Sequence, residues 1–333
     1  MASQCTPSSP THLSRRQLLV AGAAGLAVPL ARSQAAFPNR ALTIIVPYTA
    51  GGSSDAGARM LAPELSKSLG QPVLVDNAAG AGGAIGVQKL IRSAADGYTL
   101  LYGGLSESLL IPLINPSLNY KVEDMLPIAM VGSSPVVFVT RPDFPAQNVD
   151  DLIELARKSP GKLSFGSAGI GSFAHVMTEV IKDRVHVFMV HIPYRGGAQI
   201  LTDVIGGQID LGVTTVANAA QMIASKRLKA LGVSSRQRVS IMKEVPTFAE
   251  SRSLPGLEML VWGLMFAPIG TPQAVVAKLG ATINAVMELP AVKAFMAKIG
   301  AELPSLMNPA QAQAFLQAEQ KLYRPVVSRI KPE

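Results

Sequence analysis

Leu42-Thr43-Ile44-Ile45-Val46-Pro47-Tyr48-Thr49-Ala50-Gly51-Gly52-Ser53-Ser54-Asp55 is the stretch around which the rest of the chain is organised. The apolar run is short and β-branched, as a buried parallel strand requires. It breaks at Pro47 into a glycine-rich loop, followed by a helix to about Leu69. Ser53, Ser54 and Asp55 offer N-cap oxygens, and glycine lets the main chain approach a ligand closely. A helix start leaves unpaired N–H groups and about half a positive charge, so a loop of this kind attracts anions. A polyphosphate fits poorly: the lysine of a P-loop is missing, and Asp55 puts a negative charge at the helix start. A small carboxylate fits better. On its own, however, one such turn reads better as a capped helix start that binds nothing.

A second copy makes the difference. Lys162-Leu163-Ser164-Phe165 leads into Gly166-Ser167-Ala168-Gly169-Ile170-Gly171-Ser172 and then a predicted helix over 173–182. If the two loops belong to different domains and face each other, each helix start holds one end of a dianion, and closing the gap buries it.

A chain of 333 residues has room for two α/β domains, and 48% hydrophobic against 16% charged residues excludes wholesale disorder. Only 5% of residues are aromatic and no Arg-rich run interleaves with them, so the net charge of +8 does not point to nucleic acid. Three of the basic residues, Arg15, Arg16 and Arg32, fall in 1–36 with no acid, leaving 27 basic against 22 acidic residues, or +5. That modest excess is expected to steer anionic solutes. Ser14-Arg15-Arg16-Gln17-Leu18-Leu19 and the Gly/Ala-rich run after it resemble a twin-arginine export signal. Cleavage is expected near Ala35 or Ala36, giving a periplasmic protein. The run is too short and too weakly hydrophobic for a good membrane anchor. Cys5, the sole cysteine, lies in this segment, so neither an intramolecular disulfide nor a thiolate metal site is expected.

Further strands are expected at 72–76, 98–102 and 130–140, the last interrupted at Ser133-Ser134-Pro135 and leaving the first domain. The strand at 98–102 ends in a loop holding Ser106, at the carboxyl end where open α/β sheets bind ligands. A second series of βα units follows from Asn148, with a strand over 188–192, another over 209–213 that delivers Thr214, and a return crossing over 257–267 that holds Trp262. Two crossings make a hinge. Thr271-Pro272 and Asn308-Pro309, the latter with Gln311, read as capped helix starts, and residues 273–330 are expected to pack back on the first domain.

Other chemistries fit less well. In the turn with Gly80, Gly82 and Gly86, position 85 is Ile85 where a dinucleotide fingerprint needs glycine. His186 and His191 are five apart and no acidic cluster accompanies them, so no metal is expected. His175, one turn past Ser172, either faces the cleft or is a capped or core histidine. Gly166-Ser167-Ala168-Gly169 is no nucleophile elbow, and no set of nucleophile, base and orienter is evident.

Taken together, the residues resemble one family over 37–327: the Bug-type, TctC-like periplasmic solute receptors of tripartite tricarboxylate transporters. The resemblance rests on Ile45-Val46-Pro47-Tyr48 with Gly51-Gly52 and Asp55, on Ala79-Gly80-Ala81-Gly82-Gly83 with Gly86, and on Asp96-Gly97-Tyr98-Thr99-Leu100-Leu101. Pro160-Gly161-Lys162-Leu163, Gly171-Ser172 with His175, His191-Ile192-Pro193-Tyr194-Arg195-Gly196 and Gly206-Gly207-Gln208-Ile209-Asp210 carry it onward. Val245-Pro246-Thr247 with Ala249-Glu250, and Trp262 through Ala267-Pro268 to Gly270-Thr271-Pro272, complete it.

The resemblance implies a type II-like periplasmic binding protein, two doubly wound α/β domains joined by a two-segment hinge. The expected division is 37–134 with 263–333 as domain 1 and 135–262 as domain 2. It also implies no catalysis, no cofactor and a ligand carboxylate held mainly by main-chain amides and ordered water, with membrane transporter subunits as partners and a monomeric state. Ligands of such receptors include dicarboxylates, tricarboxylates, acidic amino acids and aromatic acids. Tyr48, Ala50, Gly51, Gly52 and Ser53 are expected on one side of the ligand and Ser167, Ala168, Gly169, Ser172 and His175 on the other, flanked by Ser106 and Thr214.

Two positions depart from the family. Thr214 stands where many relatives carry Asp, and Glu107 stands where a small hydroxyl residue is usual, followed by Ser108 in place of His. A ligand without an ammonium group is therefore expected, unless Glu107 replaces the missing carboxylate across the cleft. The alternatives are a receptor of the same fold that feeds a sensor, and an NAD(P)-dependent oxidoreductase using the Gly80 turn.

Overall fold

The computed structural model describes residues 37–115, 117–303 and 306–328; the segment read as an export signal lies outside them. The first part of the chain forms β1 (Leu42–Val46), α1 (Ser53–Leu69), β2 (Val73–Asn77), a 3-10 turn (Ala81–Gly83), α2 (Ala84–Ile91) and β3 (Thr99–Gly104). A π-helical turn (Ser106–Leu110) runs into α3 (Ile111–Ile114) and then the long strand β4 (Met125–Thr140). Next come α4 (Val149–Lys158), β5 (Ser164–Ser167), α5 (Phe173–Val185), β6 (Val190–Pro193), α6 (Gly197–Ile205), β7 (Leu211–Thr215), α7 (Val216–Ala224) and β8 (Lys229–Val233). β9 (Leu260–Pro268) and the helices α8 (Gln273–Met287), α9 (Pro290–Lys298) and α10 (Pro309–Val327) finish the chain.

Among the described residues nine strands run β2-β1-β3-β9-β4-β7-β5-β6, with β8 also on β4. Two parallel sets, β2-β1-β3 and β6-β5-β7, flank the antiparallel pair β4 and β9. β4 serves both halves: it pairs with β9 over 125–135 and with β7 and β8 over 136–140. It therefore starts five residues earlier than expected and is not broken at Ser133-Ser134-Pro135. A register shift between Met130 and Gly132 and a φ of 143° at Gly132 bend the strand there without ending it. This is a mixed α/β fold, in which the βα connections of both parallel sets bring helix N-termini to the carboxyl ends of the strands.

α1 shows how the pattern is paid out locally: Ala58, Leu61, Ala62, Leu65 and Leu69 recur at helical spacing and are buried. They pack with Val276, Leu279, Ile283 and Val286 of α8 in one apolar cluster. Fully burying each Leu or Ile side chain contributes roughly 1.5 to 3 kcal/mol. The helix ends where Gly70 turns left-handed and donates to Ser66 O at 3.0 Å.

Capping differs from expectation at two of three starts. α1 is capped by Gly52 with no side-chain bond, because the Asp55 carboxylate accepts the Gly51 N–H at 2.9 Å instead. α8 begins after Pro272, and the Thr271 hydroxyl donates back to Pro268 O at 2.8 Å. α10 has the expected box: Gln311 N–H donates to Asn308 Oδ1 and Asn308 N–H to Gln311 Oε1, each at 2.9 Å. α5 continues to Val185, three residues past expectation, and β6 starts at Val190 rather than 188.

Gly86 fixes how α2 sits on the end of β1. A Cβ at that position would lie 2.7 Å from Pro47 Cβ and 2.8 Å from Pro47 Cα, and the latter is main chain that has little room to give. Gly86→Ala is expected to destabilise the protein by about 1 to 3 kcal/mol through overpacking, read as a lowered denaturant midpoint; an unchanged midpoint would show that α2 is free to shift.

Candidate ligand-binding site

The carboxyl ends of both parallel sets face one cavity of about 180 Å³. Four helices begin at its wall: Gly52, Ser53 and Ser54 from α1, Ser172, Phe173 and Ala174 from α5, Gly196 and Gly197 from α6, and Thr215, Ala217 and Asn218 from α7. In α1 the first residue whose N–H meets a main-chain acceptor is Ala56, on Gly52 O at 2.9 Å, so Ser53, Ser54 and Asp55 have no acceptor inside the helix. In α5 the first-turn donors are partly used. Phe173 N–H donates to Ser106 Oγ at 2.8 Å, a bond joining the two halves, and His175 N–H donates to Ser172 Oγ at 3.3 Å. Between them lies Ala174 N–H, at the cavity wall. Neither α6 nor α7 has a side-chain cap.

Among the described residues no Lys, Arg or His lines the cavity, and Glu107 is its sole carboxyl. Glu107 is wholly buried; burial pushes its pKa up, while the Gly104 N–H and the Tyr48 hydroxyl pull the other way. The back wall is largely apolar, from Tyr102, Val136, Val261, Trp262, Met296 and Ile299. Ser134 Oγ and Thr215 Oγ1, both of wall residues, are buried with no protein hydrogen-bond partner.

Of the residues singled out from the sequence, Tyr48, Gly52, Ser53, Ser106, Ala168, Ser172 and Thr214 line this cavity. Ala50 and Gly51 lie exposed in the loop before α1 and are not part of the wall. Ser167, Gly169 and His175 sit behind it. Ser167 is wholly buried, with its hydroxyl 2.7 Å from His191 Nε2 and 3.1 Å from Gly169 O. His175 accepts the Gly171 N–H on Nδ1 at 3.1 Å and stacks on His191 with ring centroids 4.0 Å apart. Burial and the neighbouring His175 and Lys182 hold the His191 pKa down at about 3, so the stack carries no charge on His191 at neutral pH. Ser167 and His191 form no hydrolytic pair: the serine is outside the cavity wall and His191 Nδ1 has no hydrogen-bond partner to orient the ring.

Sequence reasoning gave the start of α6 no part in the site, although the signal was there. Pro193-Tyr194-Arg195-Gly196-Gly197 repeats Pro47-Tyr48-Thr49-Ala50-Gly51-Gly52 with one residue fewer. Tyr102, Trp262, Asn218 and the residues of α9 carried no local signal, because long-range packing alone brings them to the wall. Among the described residues no group of three His, Cys, Asp or Glu is placed to hold a metal ion.

With this geometry in view, the comparisons with known proteins are consistent. The model of the tripartite tricarboxylate transporter family receptor (TctC) matches residues 57–331. BugT of Bordetella pertussis is 38% identical over 306 residues, 91% of this chain and 93% of the relative. The solved structure of the periplasmic binding protein BugD is 33% identical and superposes with a TM-score of 0.82, covering 88% of this chain and 98% of BugD. MatC from Rhodopseudomonas palustris, solved with bound malate, is 28% identical, with a TM-score of 0.82 over 87% of this chain and all of MatC. The fold is that of the periplasmic solute receptors, and the chain belongs to the TctC family of tripartite tricarboxylate transporter receptors.

The Asp55 carboxylate organises the first loop. It takes hydrogen bonds from Gly51 N–H and Arg59 Nε at 2.9 Å and from Asn77 Nδ2 at 3.0 Å. Burial alone would raise its pKa, but these three donors together bring it below the ordinary value. A depressed carboxylate contributes stability above its unfolded pKa and loses it as pH falls through the folded value. Asp55→Asn is therefore expected to cost about 1.5 kcal/mol at pH 7, the low end for hydrogen bonds to a charged group. The melting-temperature gap from wild type should close as pH falls below 4; a gap independent of pH would mean that the charge is not what holds the loop.

Proposed function

We propose that the chain is an exported, periplasmic solute receptor without catalytic activity, which captures a small carboxylate in the cavity and delivers it to a tripartite membrane transporter. The observation that carries this reading is the wall itself: helix-start N–H groups converge where, among the described residues, no cationic side chain is present. Charge-assisted hydrogen bonds of about 1.5 to 3 kcal/mol each stabilise a desolvated carboxylate without a buried arginine. Tyr48, Gly52, Ser53 and Ser106 contact the ligand from one side and Ala168, Ser172 and Thr214 from the other. Ala50 and Gly51 shape the rim, while Ser167, Gly169 and His175 brace the second loop from behind. Malate in MatC is an acid of the size and charge in question.

The chain divides as 37–134 with 263–333 and 135–262, hinged where β4 and β9 cross between the halves. Gly132 lies opposite Gly263 at that crossing, a pairing free of side chains. The Gly80 turn is occupied otherwise than in a dinucleotide enzyme: a Cβ on Gly83 would lie 2.7 Å from Glu107 Cβ, so its glycine serves close packing inside the protein.

A thermal-shift panel tests the reading. Succinate, malate and adipate are expected to raise the melting temperature more than aspartate or glutamate, because a ligand at a hundred times its Kd adds about 2.7 kcal/mol to native stability. Ser53→Asp, which puts a carboxylate at the α1 start, should abolish the shift. Tight binding of aspartate alone, or an NADH fluorescence change with no response to acids, would overturn the proposal.

A further inference from the structure

A cavity that attracts anions has one carboxyl in its wall and no cation beside it. Glu107 accepts the Gly104 N–H on Oε1, and its Oε2 lies 2.7 Å from the Tyr48 hydroxyl oxygen, which is itself 3.4 Å from Gly82 O. The groups facing Glu107 are otherwise neutral. Its own turn presents Ser106 and Ser108, and the loop after α3 presents Tyr120, whose hydroxyl donates to Glu107 O at 2.8 Å. Of the elements packed on that turn, α2 carries Lys89, which is paired with Asp76. α10 carries Glu319, which accepts the Trp262 Nε1–H at 2.7 Å, and Tyr323. Among the described residues no hydrogen bond or ion pair joins Glu107 to a Lys, Arg or His.

We infer that Glu107 keeps its proton when a carboxylate occupies the cavity, and that Glu107 and Tyr48 act as one neutral donor pair that recognises the ligand. The Oε2–H of Glu107 donates to the Tyr48 oxygen, and the Tyr48 O–H turns from Gly82 O to the ligand. Nothing is transferred covalently; one proton is held on Glu107 in the complex. This rests on the carboxylate-binding reading and deepens it, because it states how the site selects its ligand. An ionised Glu107 would repel the incoming anion across a low-dielectric gap and would attract an ammonium group instead. A protonated one accepts acids that lack the ammonium. Burial, which favours the neutral form, acts in the same direction.

Calorimetry from pH 5 to 9 with succinate as probe tests the pair. Above pH 7, where succinate is a dianion, affinity is expected to fall with rising pH, approaching tenfold per unit once pH exceeds the folded-state pKa of Glu107, and Glu107→Gln, neutral at every pH, should remove that slope. Wild-type affinity that stays flat beyond the pH at which the ligand-free stability difference between the two proteins levels off, or aspartate gaining on succinate as pH rises, overturns the inference. A ligand-free readout separates this from failure of the receptor reading. A folded-state pKa raised above the unfolded one costs stability as pH climbs from about 4.5 through the folded value, so Glu107→Gln should gain on wild type over that range and then level off. A stability difference that does not change with pH overturns the inference whatever the acids do, and the pH profile of wild-type binding decides the matter if the variant does not fold.

Discussion

Amide groups in the first turn of a helix have no acceptor inside that helix, and the structure turns this deficit into its main device. Four helices begin at one cavity, and between α1 and α5 at least Ser53, Ser54 and Ala174 keep their N–H groups for whatever occupies it. Such an arrangement depends on parallel βα units, because only there do helix starts gather at the same edge as the strand ends. It also depends on two such sets sharing one sheet, which β4 provides by pairing with β9 along its first part and with β7 and β8 along its last. The Ser106 to Phe173 bond ties one set to the other at the cavity itself.

Amides attract an anion only if the loops presenting them stay in place, and each loop has its own brace. On the first side Asp55, Arg59 and Asn77 form a hydrogen-bonded cluster under Gly51, with Arg59 also donating to Asn77 Oδ1 at 3.0 Å. On the second side the brace is a pair of stacked imidazoles: His175 takes the Gly171 N–H, and His191 holds Ser167. The charge of Asp55 costs the anion site little, because the carboxylate is turned away from the cavity wall and is matched by Arg59.

Local chemistry made part of this legible and hid the rest. The β-branched run before Pro47 and the glycines after it specify strand, loop and helix from neighbouring residues alone, and the same holds for 162–173. Bounds slipped where a competing bond won: Asp55 took a loop amide rather than capping α1, and Thr271 turned back to Pro268. His175 stood at the right spacing to face the cleft, but it lies behind the wall, stacked on His191, sixteen residues away on β6. The back of the cavity was not readable, since Met296 and Ile299 reach it only through the packing of α8 and α9 against the first half. Glu107 was visible as an oddity of composition; its burial without a cation is a property of the fold.

The cavity wall is chemically mixed, and that mixture limits what it suits. Helix starts and hydroxyls share it with Val136, Val261, Trp262, Met296 and Ile299. A polyanion such as a nucleotide would leave charge against apolar side chains, where desolvation costs several kcal/mol per ion without a partner. A wholly apolar molecule would leave the helix-start amides unpaired, at about 1 to 3 kcal/mol each. A short acid with a carbon skeleton meets both surfaces at once. Neutrality of Glu107 follows from the same arithmetic: a second uncompensated negative charge inside this wall would cancel the attraction that the helix starts supply.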